Sequence, residues 1–412
     1  MSETNPHGWL TAKRLRTHGA ILALCLWSVC LWNYSTPTLR DRSGNLKGTD
    51  FLHLYVLGSL AADHRGADLY NTNAQAALTA QRVPEAAGIR YLPLYPPQVS
   101  LLFAPLSRLS YGWALVVWWI FSAVVYSACC YSIWRVCPQL RDHSASVCLL
   151  AFAFPAFFHL IAWGQTSALG LACFTLMFLL MRDRRNFLAG VALGCLIFKP
   201  QLGLAATVLF VCLGRWKIVA GAVLSAAAQL SLGVLFYGAA PLRTWAQRLI
   251  HVRDVLSLLE PKPYQTHSLR TFWSMLLPRP GVAFGLYIMS ALVVLGLTVV
   301  LWRQDERVPL ALRYSTLLIA TVLVAPHLTV YDLVILAPAF LLLADRIVGH
   351  SSQRLSRNLG TALYFVYVLP LLGPLATWTH VQLSVIAMTA VLILIWRISV
   401  QPAMTDALPV GK

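Results

Sequence analysis

The sequence predicts an all-α polytopic membrane protein, a bundle of about twelve transmembrane helices. Three observations carry that expectation. Hydrophobic residues make up 58% of the 412 and charged residues only 11%, against roughly a quarter charged in a soluble domain. The apolar runs are spread along the whole chain, so residues 1–412 read as a single integral-membrane domain. The breaks between runs repeatedly carry basic clusters, Arg182-Asp183-Arg184-Arg185 being the plainest, as cytoplasmic loops do.

Lys13, Arg14 and Arg16 precede an apolar run over 18–34 that no small-residue cleavage site closes. It reads as an uncleaved first helix with its N-terminus in the cytoplasm. Residues 35–110 then form a first periplasmic loop. Within it Asp50–Leu60 predicts a short, mostly apolar helix, too brief to span and placed either amphipathically in the interface or packed against the bundle. Tyr95-Pro96-Pro97 opens another, ending near Ser107-Arg108, since proline is tolerated in a first turn. Spans follow at about 111–134, 145–163 and 166–181. The stretch 187–214 is apolar except for Lys199-Pro200-Gln201, and basic residues flank both its ends. That pattern predicts two short helices meeting at Lys199-Pro200 rather than one long span. The remaining elements are a helix at 217–237, a second periplasmic loop at 238–281, and helices at about 282–302, 309–325, 331–345, 359–376 and 380–397. The short C-terminal tail is placed in the cytoplasm.

The net charge is +17, and thirteen of the 32 Lys and Arg fall in the two outer loops. Loops of that length are largely exempt from the positive-inside rule. No basic stripe is interleaved with aromatics on a soluble segment, so nucleic acid is not an expected partner; membrane lipid is. The nine cysteines all lie in apolar runs or at their edges, which argues against structural disulfides and a thiolate metal site. The chain has no Asp-x-Asp pair, no phosphate-cradling glycine loop and no HExxH, so neither a metal nor another cofactor is expected.

Ionisable residues in apolar surroundings carry the functional signal, because a charge at a helix centre costs about 2.5–3.5 kcal/mol on insertion scales. Asp50, in Gly48-Thr49-Asp50-Phe51, reads either as a helix cap or as a carboxylate general base. Lys199 reads either as a lysine snorkelling from a hairpin apex or as a cation offered to an anion in a cavity. His327 and Asp332 stand in Pro326-His327-Leu328-Thr329-Val330-Tyr331-Asp332; Asp332 is placed to cap the next helix or to pair with a cation such as Lys199. Arg270 lies in the second outer loop, solvated or in contact with an anion.

These residues fall in a series of short motifs. Gly48-Thr49-Asp50-Phe51 with Tyr55 comes first, then Ala67-Asp68-Leu69-Tyr70, Tyr95-Pro96-Pro97 and Leu101-Leu102-Phe103-Ala104-Pro105-Leu106. Gly164-Gln165, Ala189-Gly190 with Lys199-Pro200-Gln201, and Pro326-His327 with Tyr331-Asp332-Leu333 follow. In this order they resemble glycosyltransferase family 87 of the GT-C superfamily, over about residues 48–345. The resemblance implies a GT-C-type bundle that moves a sugar from a polyprenyl-phosphate donor to an acceptor outside the bacterial cytoplasmic membrane. Mannose is the favoured sugar, arabinofuranose the other, and the acceptor a glycolipid or polysaccharide. It implies Asp50 as base and His327 near the donor phosphate, and it matches Lys199 to the family's lysine; the chemistry of a departing phosphate adds Lys199 and Arg270 as the further cations expected to contact it. Tyr55, Tyr95, Gln165, Gln201, Tyr331 and Asp332 are the expected substrate-binding or supporting residues.

The chemistry is consistent with that reading. Phosphate is already a good leaving group, so one carboxylate that takes the acceptor proton suffices. Cations aimed at the departing phosphate complete the requirement. One direct displacement through an oxocarbenium-like state predicts inversion. The alternative is a transporter or flippase for an anionic lipid-linked sugar, which intramembrane Lys and His also suit.

Overall fold

In the computed structural model the described residues are 10–252, 262–305, 307–351 and 354–400. Among them the only β features are the isolated bridges Arg40–Leu46 and Thr266–Thr329. The first apolar run forms α1 (Ala12–Tyr34). The first loop contributes α2 (Thr49–Ala62), α3 (Thr72–Arg82) and the five-residue α4 (Val99–Phe103). A long α5 (Tyr111–Trp134) follows.

The expected span at 145–163 is broken into α6 (Ser144–Phe152) and α7 (Pro155–Trp163), with a 45° bend in the segment that runs on from Pro138. The cause is Pro155, which has no amide proton to continue the helix and sits at the first position of α7. Next come α8 (Ser167–Arg182) and α9 (Asn186–Gly194), the latter continued by a 3-10 turn to Phe198. Then α10 (Pro200–Cys212) starts afresh at proline, so two helices do meet at Lys199-Pro200. The chain continues through α11 (Trp216–Tyr237), α12 (Ala239–Ile250), α13 (Leu269–Leu276), α14 (Pro280–Trp302) and α15 (Leu310–Val324). A 3-10 segment Val330–Leu336 leads into α16 (Ala337–Gly349); α17 (Arg354–Val368), α18 (Ala376–Thr379) and α19 (Leu383–Val400) end the described chain. Residues 253–261, part of the segment expected as a second outer loop, lie outside the described residues.

Six helices are long and apolar enough to cross a membrane, or seven if the bent pair counts as one. They mark the chain as a membrane protein. The expected figure of about twelve counted short apolar helices such as α8, α9, α10 and α15 as spans; their length alone does not support that. The long helices turn large apolar side chains outward, Leu24, Ile120, Leu235 and Met289 among them, as a surface solvated by lipid tails does. Of the short helices, α15 is buried from Leu312 to Val324, while α8, α9 and α10 also expose apolar side chains such as Leu176, Phe187 and Leu204.

Helix α2 takes the second of the two placements weighed for it: it packs against the bundle rather than lying amphipathically at an interface, and is buried without interruption from Phe51 to Ala61. The sequence explains this after the fact: a helix apolar on every side belongs in a core. Tyr111 fixes its start by donating to the carbonyls of Lys47 and Gly48, at 2.7 and 2.9 Å. Elsewhere glycine permits close approach: a Cβ on Gly190 of α9 would stand 2.0 Å from the Ile218 carbonyl of α11, and one on Gly221 2.1 Å from that of Phe187. Small residues at such crossings let helix backbones touch. Arg313, the other cation within an apolar run, is buried over Trp302 and paired with Asp305, which also meets Arg215.

Candidate active site

Two left-handed glycines place the centre of the site. Gly48 (φ +63°) precedes Asp50, and Gly164 (φ +70°) ends α7 and precedes Gln165. A Cβ on Gly164 would stand 2.7 Å from Phe51 Cβ and 3.6 Å from Gly48 Cα. Only glycine adopts this conformation without cost, and only glycine leaves the room. Trp118 secures the second turn by donating to the Gly164 carbonyl at 2.9 Å. The two turns thus bring the first loop against the break after α7.

Asp50 and Gln165 meet there. Gln165 Nε2 donates to Asp50 Oδ2 at 2.6 Å and to the Tyr331 hydroxyl at 3.2 Å. Gln165 Oε1 accepts from Lys199 Nζ at 3.2 Å and Tyr95 at 3.3 Å. Asp50 does not cap α2: the cap position is Gly48, and Asp50 sits in the first turn. Its carboxylate instead faces a cavity of about 1020 Å³. Burial pushes its pKa up to about 6, opposed by the bonds from Gln165 and Tyr331 and by the Lys199 charge, and reinforced by Asp332. A carboxylate poised there is ionised at neutral pH and basic enough to accept a hydroxyl proton.

Lys199 and Asp332 form an ion pair at 2.9 Å, with side-chain exposures of 8% and 2%. The lysine also donates to Ser167 Oγ at 3.2 Å. An ammonium has three protons, and here Gln165, Ser167 and Asp332 take all three. Lys199 lines the cavity as expected of a phosphate contact, with its charge paired to Asp332 and its donors engaged by these three groups. Asp332 fulfils both roles weighed for it. Its Oδ1 takes Lys199 and Ser167, while Oδ2 accepts from the Thr329 backbone in a capping box.

The other expected residues divide. His327, Arg270, Tyr95, Gln201 and Tyr331 all line the cavity. His327 is half-buried, and Arg270 Nε donates to the Pro326 carbonyl beside it. Tyr55 does not reach the cavity. It is buried against Phe51 and Tyr111 and donates to the Leu109 carbonyl at 2.9 Å, a packing role.

Sequence reasoning missed His53 and Tyr91, which also line the cavity. Their rings stack at 5.1 Å, and Tyr91 donates to the Thr49 carbonyl. Helical geometry was the available signal: at 100° per residue His53 returns to the face of Asp50, while Tyr55 points away. His53 Nε2 has no hydrogen-bond partner among the described residues, and burial lowers its pKa to about 4, so the ring is neutral. Arg90 and Lys262 add cationic groups to the wall. Among the described residues no three His, Cys, Asp or Glu side chains gather to hold a metal ion.

A family model described as glycosyltransferase family 87 matches residues 94–326. No curated protein and no solved structure matches the chain.

Proposed function

As a member of glycosyltransferase family 87 the chain is a glycosyltransferase, and we propose that it is an inverting enzyme that takes its sugar from a polyprenyl-phosphate donor. Mannose is the first candidate sugar, a glycolipid or polysaccharide the acceptor, and the outer face of the bacterial cytoplasmic membrane the location. The observation that carries this reading is a buried carboxylate, Asp50, in a cavity whose other walls bear Arg90, Lys262, Arg270 and His327.

In this reading an acceptor hydroxyl attacks the anomeric carbon while Asp50 removes its proton. The bond from that carbon to the phosphate oxygen breaks, and the charge gathering on the phosphate is met by Arg270 and His327. Phosphate leaves without a proton donor, so a single carboxylate completes the step. One displacement inverts the anomeric centre. Transport of an intact lipid-linked sugar is the second reading, and the buried cation that would favour it is already neutralised by Asp332.

The test is transfer from radiolabelled polyprenyl-phosphate mannose into lipid or polymer by membranes carrying wild type or Asp50→Asn. Label transferred by wild type and lost in the variant supports the proposal. Equal transfer by both removes Asp50 as base. Transfer only from the arabinofuranose donor replaces the sugar but keeps the reaction.

A further inference from the structure

The buried pair Lys199–Asp332 makes no use of the reaction as proposed, yet it sits within one side chain of the base. That side chain is Gln165. An amide has an acceptor end and a donor end, and its orientation follows from its neighbours. Lys199 Nζ, the Tyr95 hydroxyl and the Thr166 backbone N–H lie 3.2, 3.3 and 3.2 Å from Oε1. An ammonium and a backbone N–H only donate, so the oxygen must face them. Nε2 is thereby turned to Asp50, 2.6 Å away. Lys199 is held in turn by Asp332 and Ser167.

We propose that Gln165 is a positioning residue: locked by the Lys199–Asp332 ion pair, its amide holds Asp50 Oδ2 and keeps the carboxylate in its ionised, cavity-facing form. This rests on the glycosyl-transfer reading for its consequence, though not for its geometry. The groups that face Asp50 are few. Lys199 and Asp332 act on its charge, Tyr331 contributes a hydrogen bond, and Tyr91, Tyr95 and Tyr111 feel it in return. His53 on the same helix is neutral. Lys199 is the only group among them that carries positive charge, and Gln165 is the bonded link to it. A hydrogen bond donated to the ionised form favours ionisation. Its loss raises the pH at which Asp50 becomes a base.

Two variants test this. Gln165→Leu keeps the volume and removes the link. Lys199→Met with Asp332→Leu removes both charges and leaves neither alone in the interior, which protects the fold. The expected result for each is that the acidic limb of kcat/KM against pH moves up by about one pH unit. Activity then drops by about twofold at pH 7 and about tenfold at pH 5, and recovers in alkaline buffer. A uniform loss at every pH, with the limb unmoved, overturns the proposal and leaves Gln165 a structural residue. Infrared titration of the Asp50 carboxyl stretch, with Asp50→Asn as the blank, reads the same movement without any substrate. If the stretch shifts in Gln165→Leu while wild type transfers no sugar, the positioning role stands and the glycosyl-transfer reading fails. If wild type transfers sugar and the stretch does not shift, the reverse holds.

Discussion

Gly48 and Gly164 meet back to back, each with a positive φ, and a Cβ on the second would stand 3.6 Å from the Cα of the first. Everything at the centre of the site hangs from this contact, because Asp50 lies two residues after one glycine and Gln165 one residue after the other. Gly164→Ala meets both a left-handed backbone and Phe51 Cβ at 2.7 Å. The expected loss of stability is roughly 2–4 kcal/mol, the sum of backbone strain and overpacking. Gly44, also at positive φ but with nothing within 4 Å, is the control, and Gly44→Ala is expected to lose only about 1–2 kcal/mol. Thermal unfolding of the two purified variants in detergent separates crowding from strain.

The raised pKa of Asp50 sets a pH dependence. The carboxyl is protonated, and useless as a base, below about 6, and ionised above it. Activity is therefore expected to rise with pH through that value and then level off. At pH 5 roughly a tenth of the plateau kcat/KM remains. Asp50→Asn is expected to lose about 10²–10⁴-fold and to show no such limb. A wild-type profile flat from pH 5 to 8 is incompatible with Asp50 as the titrating base.

Breaking the buried ion pair from one side is expected to be worse than removing it whole. Asp332→Leu leaves the Lys199 ammonium without its counter-charge, and Lys199→Met does the same to Asp332. Each is expected to destabilise by roughly 3–5 kcal/mol, and the double variant by clearly less than either. Detergent-solubilised thermal shift on all three, as a double-mutant cycle, gives the coupling. Additive losses would mean that the two charges do not sense one another.

Arg270 holds the Pro326 carbonyl through Nε, a position where lysine carries a methylene and no donor. Arg270→Lys preserves charge but not the tether to the residue beside His327. If tethering matters, Arg270→Lys loses about tenfold in kcat/KM for the donor, close to the loss in Arg270→Gln, each corresponding to roughly 1.5 kcal/mol. Near-wild-type kinetics in Arg270→Lys would show that charge alone suffices.

Much of this was legible in the chain. The break at Lys199-Pro200 could be read because proline restarts a helix and basic residues close both ends of the stretch. The site residues could be located because charges in apolar runs stand out. What could not be read was how many partners each one has. Lys199 has three acceptors around it, and they come from segments more than thirty residues away at the nearest. Helix α2 was left open for a different reason. Its length ruled out a span, and an outer position allowed an interface, while its unbroken apolar character pointed to burial. Tyr55 was carried along by motif; its angular position on that helix directs it to Leu109 instead.

The ion pair joins positions 133 residues apart, and this bears on how the protein comes into being. When Lys199 enters the bilayer during synthesis, its counter-charge has not yet been made. For the time it takes to build α10 through α15, the nascent chain holds an ammonium whose paired carboxylate lies in the 3-10 segment before α16. A chain that stops before residue 332 lacks that counter-charge for good.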